Sequence, residues 1–267
     1  MSDKAILSVN HLCTGYGKTP VLKDVSFSLA PGTLTGLLGA NGSGKTTLLK
    51  TVCGQLSYAG NCTLYNLPLT ELSGREIARK VSYIPQRSGI TLSIPVLYVV
   101  LMGFNPVLKL FENPSGAQKE AARSALSFVG LSGFEDRDYL TLSEGEKQLC
   151  ILARTLIEDT KLLLLDEPDS ALDFHNRYLF LQTLRHIITS EQKAGLICLH
   201  DPAAALEFCD RVILLTDGIC DSISPGKDSI PDMEAALSKV YGPLSIIRCP
   251  DRKNKEHLVL FSELSGT

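Results

Sequence analysis

Gly39-Ala40-Asn41-Gly42-Ser43-Gly44-Lys45-Thr46 is the stretch that decides how this chain is read. Its spacing is G-x-x-x-x-G-K-[ST], in which glycines let successive backbone N–H groups curl around phosphate oxygens with no Cβ in the way. Lys45 is placed to pair with the β and γ phosphates of a nucleotide, and the Thr46 hydroxyl to ligate Mg²⁺. A helix opening at this point aims its positive dipole end at the same anion, so the nucleotide-contacting run is taken as residues 39–47, ending on Thr47.

The flanks suit that loop. Residues 34–38 form a short apolar run that predicts a buried strand, and residues 46–53 predict a helix stopped by Gly54. Upstream, residues 5–12 and 21–29 alternate apolar and polar positions around Gly15 and Gly17, which predicts an antiparallel pair with one solvated face. From about residue 92 to 156 strand signals give way to helical ones, notably residues 95–103 and the Ala-rich residues 117–129. Buried-strand patterns return at residues 161–166, 195–200 and 211–216, separated by helical patterns at 174–189 and 203–208. Such alternation implies a parallel sheet. Residues 224–267 are weakly patterned. The resulting division is one domain over residues 1–230, with a helical subdomain inserted at about 90–157, and a C-terminal extension over 231–267.

Composition narrows the possibilities. The 267 residues are 44% hydrophobic and 21% charged, ordinary for a globular protein. With 26 basic and 29 acidic residues the net charge is −3 and no basic block tracks a phosphate backbone, so nucleic acid is not favoured as a partner. The longest apolar stretch, residues 94–104, is about half a bilayer span and contains Pro95 and Gly103. Asp3 and Lys4 replace the basic start and apolar run of a secretory signal, so a cytoplasmic location is expected. Eight scattered cysteines with no C-x-x-C pair read as reduced core residues rather than a disulfide or metal framework.

Two further motifs carry chemistry. Leu162-Leu163-Leu164-Leu165-Asp166-Glu167 predicts a central strand whose C-terminal edge presents two carboxylates. Asp166 is placed to hold Mg²⁺, and Glu167 to polarise the water that attacks the γ phosphate. About twenty residues earlier, Leu142-Ser143-Glu144-Gly145-Glu146 opens a helix running through Arg154 and reads as a second phosphate site at a helix terminus.

In this order, the three blocks resemble the ATP-binding subunit of an ABC transporter over about residues 5–220. The resemblance implies an α/β fold, with a RecA-like P-loop NTPase core of mostly parallel sheet, an N-terminal antiparallel β subdomain and the inserted helical subdomain. It implies ATP as substrate with Mg²⁺ as cofactor, and a homodimer in which Ser143, Gly145, Glu146 and Asp173 of one copy act in trans on the nucleotide held by the other. Tyr16 resembles the aromatic that stacks on adenine, Gln86 the glutamine that reaches Mg²⁺ and the membrane partner, and His200 the switch histidine at the γ phosphate, which joins Glu167 and Lys45 as catalytic. Residues 170–173 resemble the dimer-contact loop. The family pentapeptide has Gly where Glu144 stands, and a carboxylate there repels a triphosphate unless it points outward.

Residues 99–106, followed by 111–115, are similar to importers of iron-siderophore, haem and cobalamin. Separate transmembrane permease subunits and an external solute-binding protein are then implied, with this chain peripheral on the inner face of the cell membrane. A groove between Gln86 and the helix at 95–104 is expected to receive the permease. A soluble ABC ATPase acting on DNA or ribosomes would call for a basic patch or tandem halves. A P-loop kinase or switch would leave residues 142–146 and His200 unexplained.

Overall fold

The computed structural model describes residues 5–86, 89–105 and 113–263. In chain order these form β1 (Leu7–Tyr16), β2 (Thr19–Leu29), β3 (Leu34–Leu38), α1 (Lys45–Val52), β4 (Tyr58–Leu64), β5 (Leu67–Pro68), α2 (Gly74–Ala78), β6 (Val81–Ile84), α3 (Val96–Leu101) and α4 (Gly116–Phe128). Then come α5 (Glu144–Ile157), β7 (Leu162–Leu165), α6 (Phe174–Ser190), β8 (Ala194–Cys198), α7 (Pro202–Phe208), β9 (Arg211–Thr216), β10 (Ile219–Ile223), α8 (Ile230–Tyr241), β11 (Leu244–Pro250) and β12 (Glu256–Ser262).

One large sheet runs in the order β5-β4-β1-β2-β10-β9-β3-β8-β7-β6. Its β9-β3-β8-β7-β6 block is parallel throughout, and β1 pairs antiparallel with both β2 and β4. Residues Leu38↔Leu214, Leu37↔Cys198, Leu165↔Ile197 and Ile84↔Leu165 are in register, so the C-terminal ends of five strands reach one rim. The residues just beyond those ends, Gly39, Gln86, Asp166, Glu167 and His200, are therefore neighbours in space although they span most of the chain.

The leucine run shows why the central strands read as continuous apolar stretches. Successive side chains of a strand point to opposite faces. Leu163 and Leu165 enter the core shared with α3, α4, α5 and α6, whereas Leu162 and Leu164 enter the core shared with α1, β1 and β2. Both faces are covered, so no position on β7 can be polar. In α3 the same logic leaves five of six side chains buried, with Tyr98 and, just past the helix, Met102 on the open side. The helix-like residues 95–104 are thus mainly core-facing and continue as a 3₁₀ turn at Met102–Phe104. Of the segments similar to metal-chelate importers, Pro106, Phe111 and Glu112 lie outside the described residues.

The structure differs from the expectations in four places. Gly15 lies inside β1 opposite Pro20, and the reversal falls at Gly17, whose φ of 59° suits a residue without Cβ. Helix α1 starts at Lys45, one residue early, because Gly44 takes φ 107° and serves as N-cap. Cys249 is exposed rather than in the core, since its hairpin strand has one solvated side; Cys62, Cys150, Cys198 and Cys209 are buried. Through residue 263 the weakly patterned C-terminal segment is folded. Ser229 caps α8, Met233 and Leu237 are fully buried against the main core, and β11 and β12 form an antiparallel hairpin.

That hairpin is fastened to α7 by charge. Glu207 accepts from His257 Nδ1 at 2.8 Å and from Lys255 Nζ at 3.2 Å, while His257 Nε2 lies 3.4 Å from Asp251. Burial alone would raise the Glu207 pKa, but the bonds from His257 and Lys255 bring it below the ordinary value, so it stays charged near neutrality. The bond to Glu207 holds the His257 imidazole above its ordinary 6.5. A raised folded-state pKa means the contribution is complete below the ordinary imidazole value and is lost as pH rises through the raised one. Hydrogen exchange of β12 and α7, corrected for intrinsic rates, is expected to speed up as pH rises from about 6 to about 8. His257→Gln should abolish that dependence, and an unchanged profile in this variant would remove His257 as its source.

Candidate nucleotide-binding and hydrolysis site

The glycine-rich loop joins β3 to α1 at the rim. Gly42 and Gly44 take φ 81° and 107°, and a Cβ on Gly39 would come within 2.5 Å of Ser43 Oγ and 2.6 Å of the Leu215 carbonyl oxygen. Close passage of backbone is the reason for these glycines. Lys45 is 5% exposed, and its Nζ donates to the carbonyl oxygens of Gly39 at 2.9 Å and Ala40 at 3.4 Å. With Nζ also 3.6 Å from Glu167 Oε1, the buried cation sits between its own loop and the carboxylate that follows β7. Asn41, Gly42 and Ser43, with Ala40, line an open cleft of about 400 Å³. Thr47 is buried in the first turn of α1, where its carbonyl accepts from Thr51.

The two acids separate as their side chains leave β7. Asp166 is 5% exposed and accepts from the Thr46 hydroxyl at 3.1 Å and from Tyr83 OH at 3.2 Å. Glu167 turns the other way on a left-handed backbone, φ 50°, a conformation uncommon for a residue with a side chain and characteristic of functional turns. Its Oε2 receives Gln86 Nε2 at 3.0 Å and lies 2.7 Å from His200 Nε2. Lys45, Gln86, Glu167 and His200 therefore form one connected group.

The sequence reading overlooked Tyr83 and Cys198. Burial, then the Asp166 charge and hydrogen bond, push the Tyr83 phenol well above its ordinary range, so it stays protonated and donates. The Cys198 thiol is likewise raised, first by burial and then by Asp166. The signal for Tyr83 was the run Val81-Ser82-Tyr83-Ile84 before Pro85-Gln86, apolar and β-prone but only four residues long.

Hard oxygen donors are what a small divalent cation takes, and the Thr46 hydroxyl beside the Asp166 carboxylate supplies such a pair. Among the described residues no group of three or more His, Cys, Asp or Glu gathers into a metal site. The donor set thus fits an ion held by one or two protein oxygens, with water and phosphate completing its shell.

The second motif lies apart from this group. Ser143 is the N-cap of α5; its hydroxyl accepts from Glu146 N at 3.3 Å, and its own N–H donates to Glu146 Oε2 at 2.7 Å. Glu146 is thereby committed to a capping box. Glu144 is exposed and pairs with Lys147 Nζ at 2.7 Å on the same helix. Gly145 faces Asn176 of α6, and Asp173 caps that helix by accepting from Asn176 N at 2.8 Å. Tyr16 is half exposed at the end of β1 and is not among the residues lining the cleft beside the loop. A second cleft, of about 700 Å³, opens between Gln86, Ile90 and Thr91 and the α5 residues Lys147, Gln148 and Ile151. This cleft beside Gln86 is lined from α5, with no α3 residue among its lining.

A strand-loop-helix phosphate cradle, a hydroxyl-carboxylate pair for a cation and a separate glutamate on one sheet rim define an ATP-hydrolysing P-loop protein. A family model described as "ABC transporter" matches residues 22–170. The chain belongs to the ABC transporter family, as one of its ATP-binding, ATP-hydrolysing subunits. It is similar to the hemin import ATP-binding protein HmuV of Bordetella bronchiseptica, 36% identical over 246 residues, covering 88% of this chain and 92% of that one. The protein of the same name from Pseudomonas putida is 36% identical over 245 residues, covering 89% and 92%. Among solved structures, an ABC transporter assigned to the metal-chelate type, in an inward-facing conformation, matches with a TM-score of 0.84 at 25% identity, covering 97% of this chain and 98% of that one. No helix among the described residues is long and apolar enough to cross a membrane.

Proposed function

We propose that this chain is the ATPase of an importer for haem or a related metal chelate, such as iron-siderophore or cobalamin, and that it works as a homodimer on separate permease subunits. The observation that carries the hydrolytic part is the convergence of Lys45, Gln86 and His200 on Glu167, with Thr46 on Asp166 beside it. Support for the importer comes from the hemin-import relatives, which span nearly the whole chain.

In this reading Lys45 and the N–H groups of residues 39–47 bind the polyphosphate, and Tyr16 stacks on adenine. Thr46, Asp166 and Gln86 would hold Mg²⁺, which when bound neutralises charge on the β and γ phosphates. Glu167 takes the proton of the attacking water, and His200 orients Glu167 and contacts the γ phosphate. Ser143, Gly145, Glu146 and Asp173 of the partner copy close the site, the Ser143 hydroxyl and Gly145 N–H facing the γ phosphate. Glu144, exposed and paired with Lys147, leaves that approach unopposed. The cleft beside Gln86 receives a permease segment, which keeps the subunit peripheral on the inner membrane face, and an external solute-binding protein delivers the cargo.

A shared site has a simple signature. Hydrolysis per subunit is expected to fall as the purified chain is diluted, and to become insensitive to dilution when it is co-purified with its permease. Specific activity that stays constant on dilution of the isolated chain would refute a dimer-built site.

A further inference from the structure

Glu167 and His200 are carried by different connections, one after β7 and one after β8, and the 2.7 Å contact between them depends on how those two loops are held. Asp169 lies two residues beyond Glu167, and Asp201 directly follows His200. Arg177, in the first turns of α6, reaches both: its Nε is 3.3 Å from Asp169 Oδ2, and its Nη1 is 3.7 Å from Asp201 Oδ2. We propose that Arg177 is a positioning residue for hydrolysis, joining the loop behind Glu167 to the turn behind His200 so that imidazole and carboxylate stay in register. This rests on the reading of Glu167 and His200 as the hydrolytic pair.

Both partners of Arg177 are themselves anchored. Asp169 is 3% exposed as a residue, and its carbonyl accepts from Leu172 N at 3.1 Å. Asp201 caps α7 by accepting from Ala203 N at 2.9 Å. Arg177 N in turn donates to the Asp173 carbonyl at 2.9 Å, so the guanidinium stands on a fixed helix rather than a loose loop. A planar, always charged fork suits a bridge between two carboxylates in a way that a lysine point charge does not. The loop it steadies also holds the unfavourable backbone of Glu167, which persists only where its surroundings determine it.

Charge makes the same case. His200 contacts Glu167 and feels the charge of Asp169, while Arg177 lies between Asp169 and Asp201, and Lys45 pairs with Glu167. Burial pushes the Asp169 pKa up, and Arg177 is the main opposing influence, followed by weaker ones that include His200. Without Arg177, the charges of Asp169 and Asp201 are left uncompensated behind the two loops, and the pair on which hydrolysis depends is no longer held in register.

The test compares Arg177→Gln, Arg177→Lys and the double variant Arg177→Leu/Asp169→Leu by steady-state kinetics and thermal melting. Arg177→Gln is expected to lower kcat by about ten- to a hundredfold, the scale of a misplacement near 1 Å, with KM for ATP unchanged because Arg177 touches no nucleotide group. Arg177→Lys should recover part of kcat. The double variant removes the buried Asp169 carboxylate together with its half-buried Arg177 partner, so its melting temperature should return towards the parent value while kcat stays low. Parent-like kcat in Arg177→Gln, or kcat recovering together with the melting temperature in the double variant, overturns the inference. Glu167→Gln is run alongside: if it is silent while Arg177→Gln is fast, only the role of Arg177 falls. If Glu167→Gln turns over normally, the hydrolytic pair is misassigned and the role of Arg177 falls with it.

Discussion

Glu167→Gln is expected to bind ATP and Mg²⁺ but not to hydrolyse the nucleotide, and then to elute as a stable dimer on size-exclusion chromatography. The amide is nearly isosteric and keeps an oxygen that can accept from His200 and Gln86, which now lie 2.7 Å and 3.0 Å from Oε2. It cannot take a proton near neutral pH, so a general base worth about a hundred- to ten-thousandfold in rate is lost while the cradle is untouched. The nearest other carboxylate, Asp166, is already committed to Thr46 and Tyr83 and cannot stand in. An unhydrolysed γ phosphate keeps the partner's Ser143 and Gly145 engaged, and dimer accumulates. Near-normal hydrolysis in this variant would refute Glu167 as the base.

Lys45→Ala is expected to lose most nucleotide affinity. The ammonium is 5% exposed and held by three oxygens, from Gly39, Ala40 and Glu167, so its approach to a phosphate requires little ordering of the side chain. A charge-assisted hydrogen bond of this kind contributes about 1.5–3 kcal/mol, or roughly ten- to a hundredfold in Kd. Alanine also leaves Glu167 without its cation and facing the incoming polyphosphate, which adds repulsion to lost attraction. Titration with a fluorescent ATP analogue checks this, and an unchanged Kd would contradict the assignment of Lys45. The two variants fail differently, one at binding and the other at chemistry, so together they separate the cradle from the base.

The phosphate loop, the leucine-carboxylate strand and the Ser143 helix start were legible because each is local: a few adjacent residues carry the whole physical requirement. Glycines at φ 81° and 107°, and a capping box over four residues, do not depend on distant chain. What escaped was set by pairing across the sheet. β6 is four residues long, and Tyr83 meets Asp166 only because β6 lies parallel to β7, in register at Tyr83↔Leu164. The Arg177 bridge needs the ends of β7 and β8 side by side, which no spacing announces. The C-terminal hairpin was unreadable for another reason: its strands are only partly covered, so burial imposes no clean alternation on them. Tyr16, known by resemblance alone, is exposed at the end of β1 and is not among the residues lining the nearby cleft.

Because Met233 and Leu237 are fully buried where α8 packs on β9 and β10, the tail cannot be treated as a detachable accessory. Ending the chain at Ser229 would uncover a greasy patch on β9 and β10, and grafting this tail onto another cassette would fail unless the matching floor came with it. At the end of α8, Tyr241 OH donates to the His200 carbonyl at 3.4 Å, so the tail is joined to the sheet rim as well as to its floor.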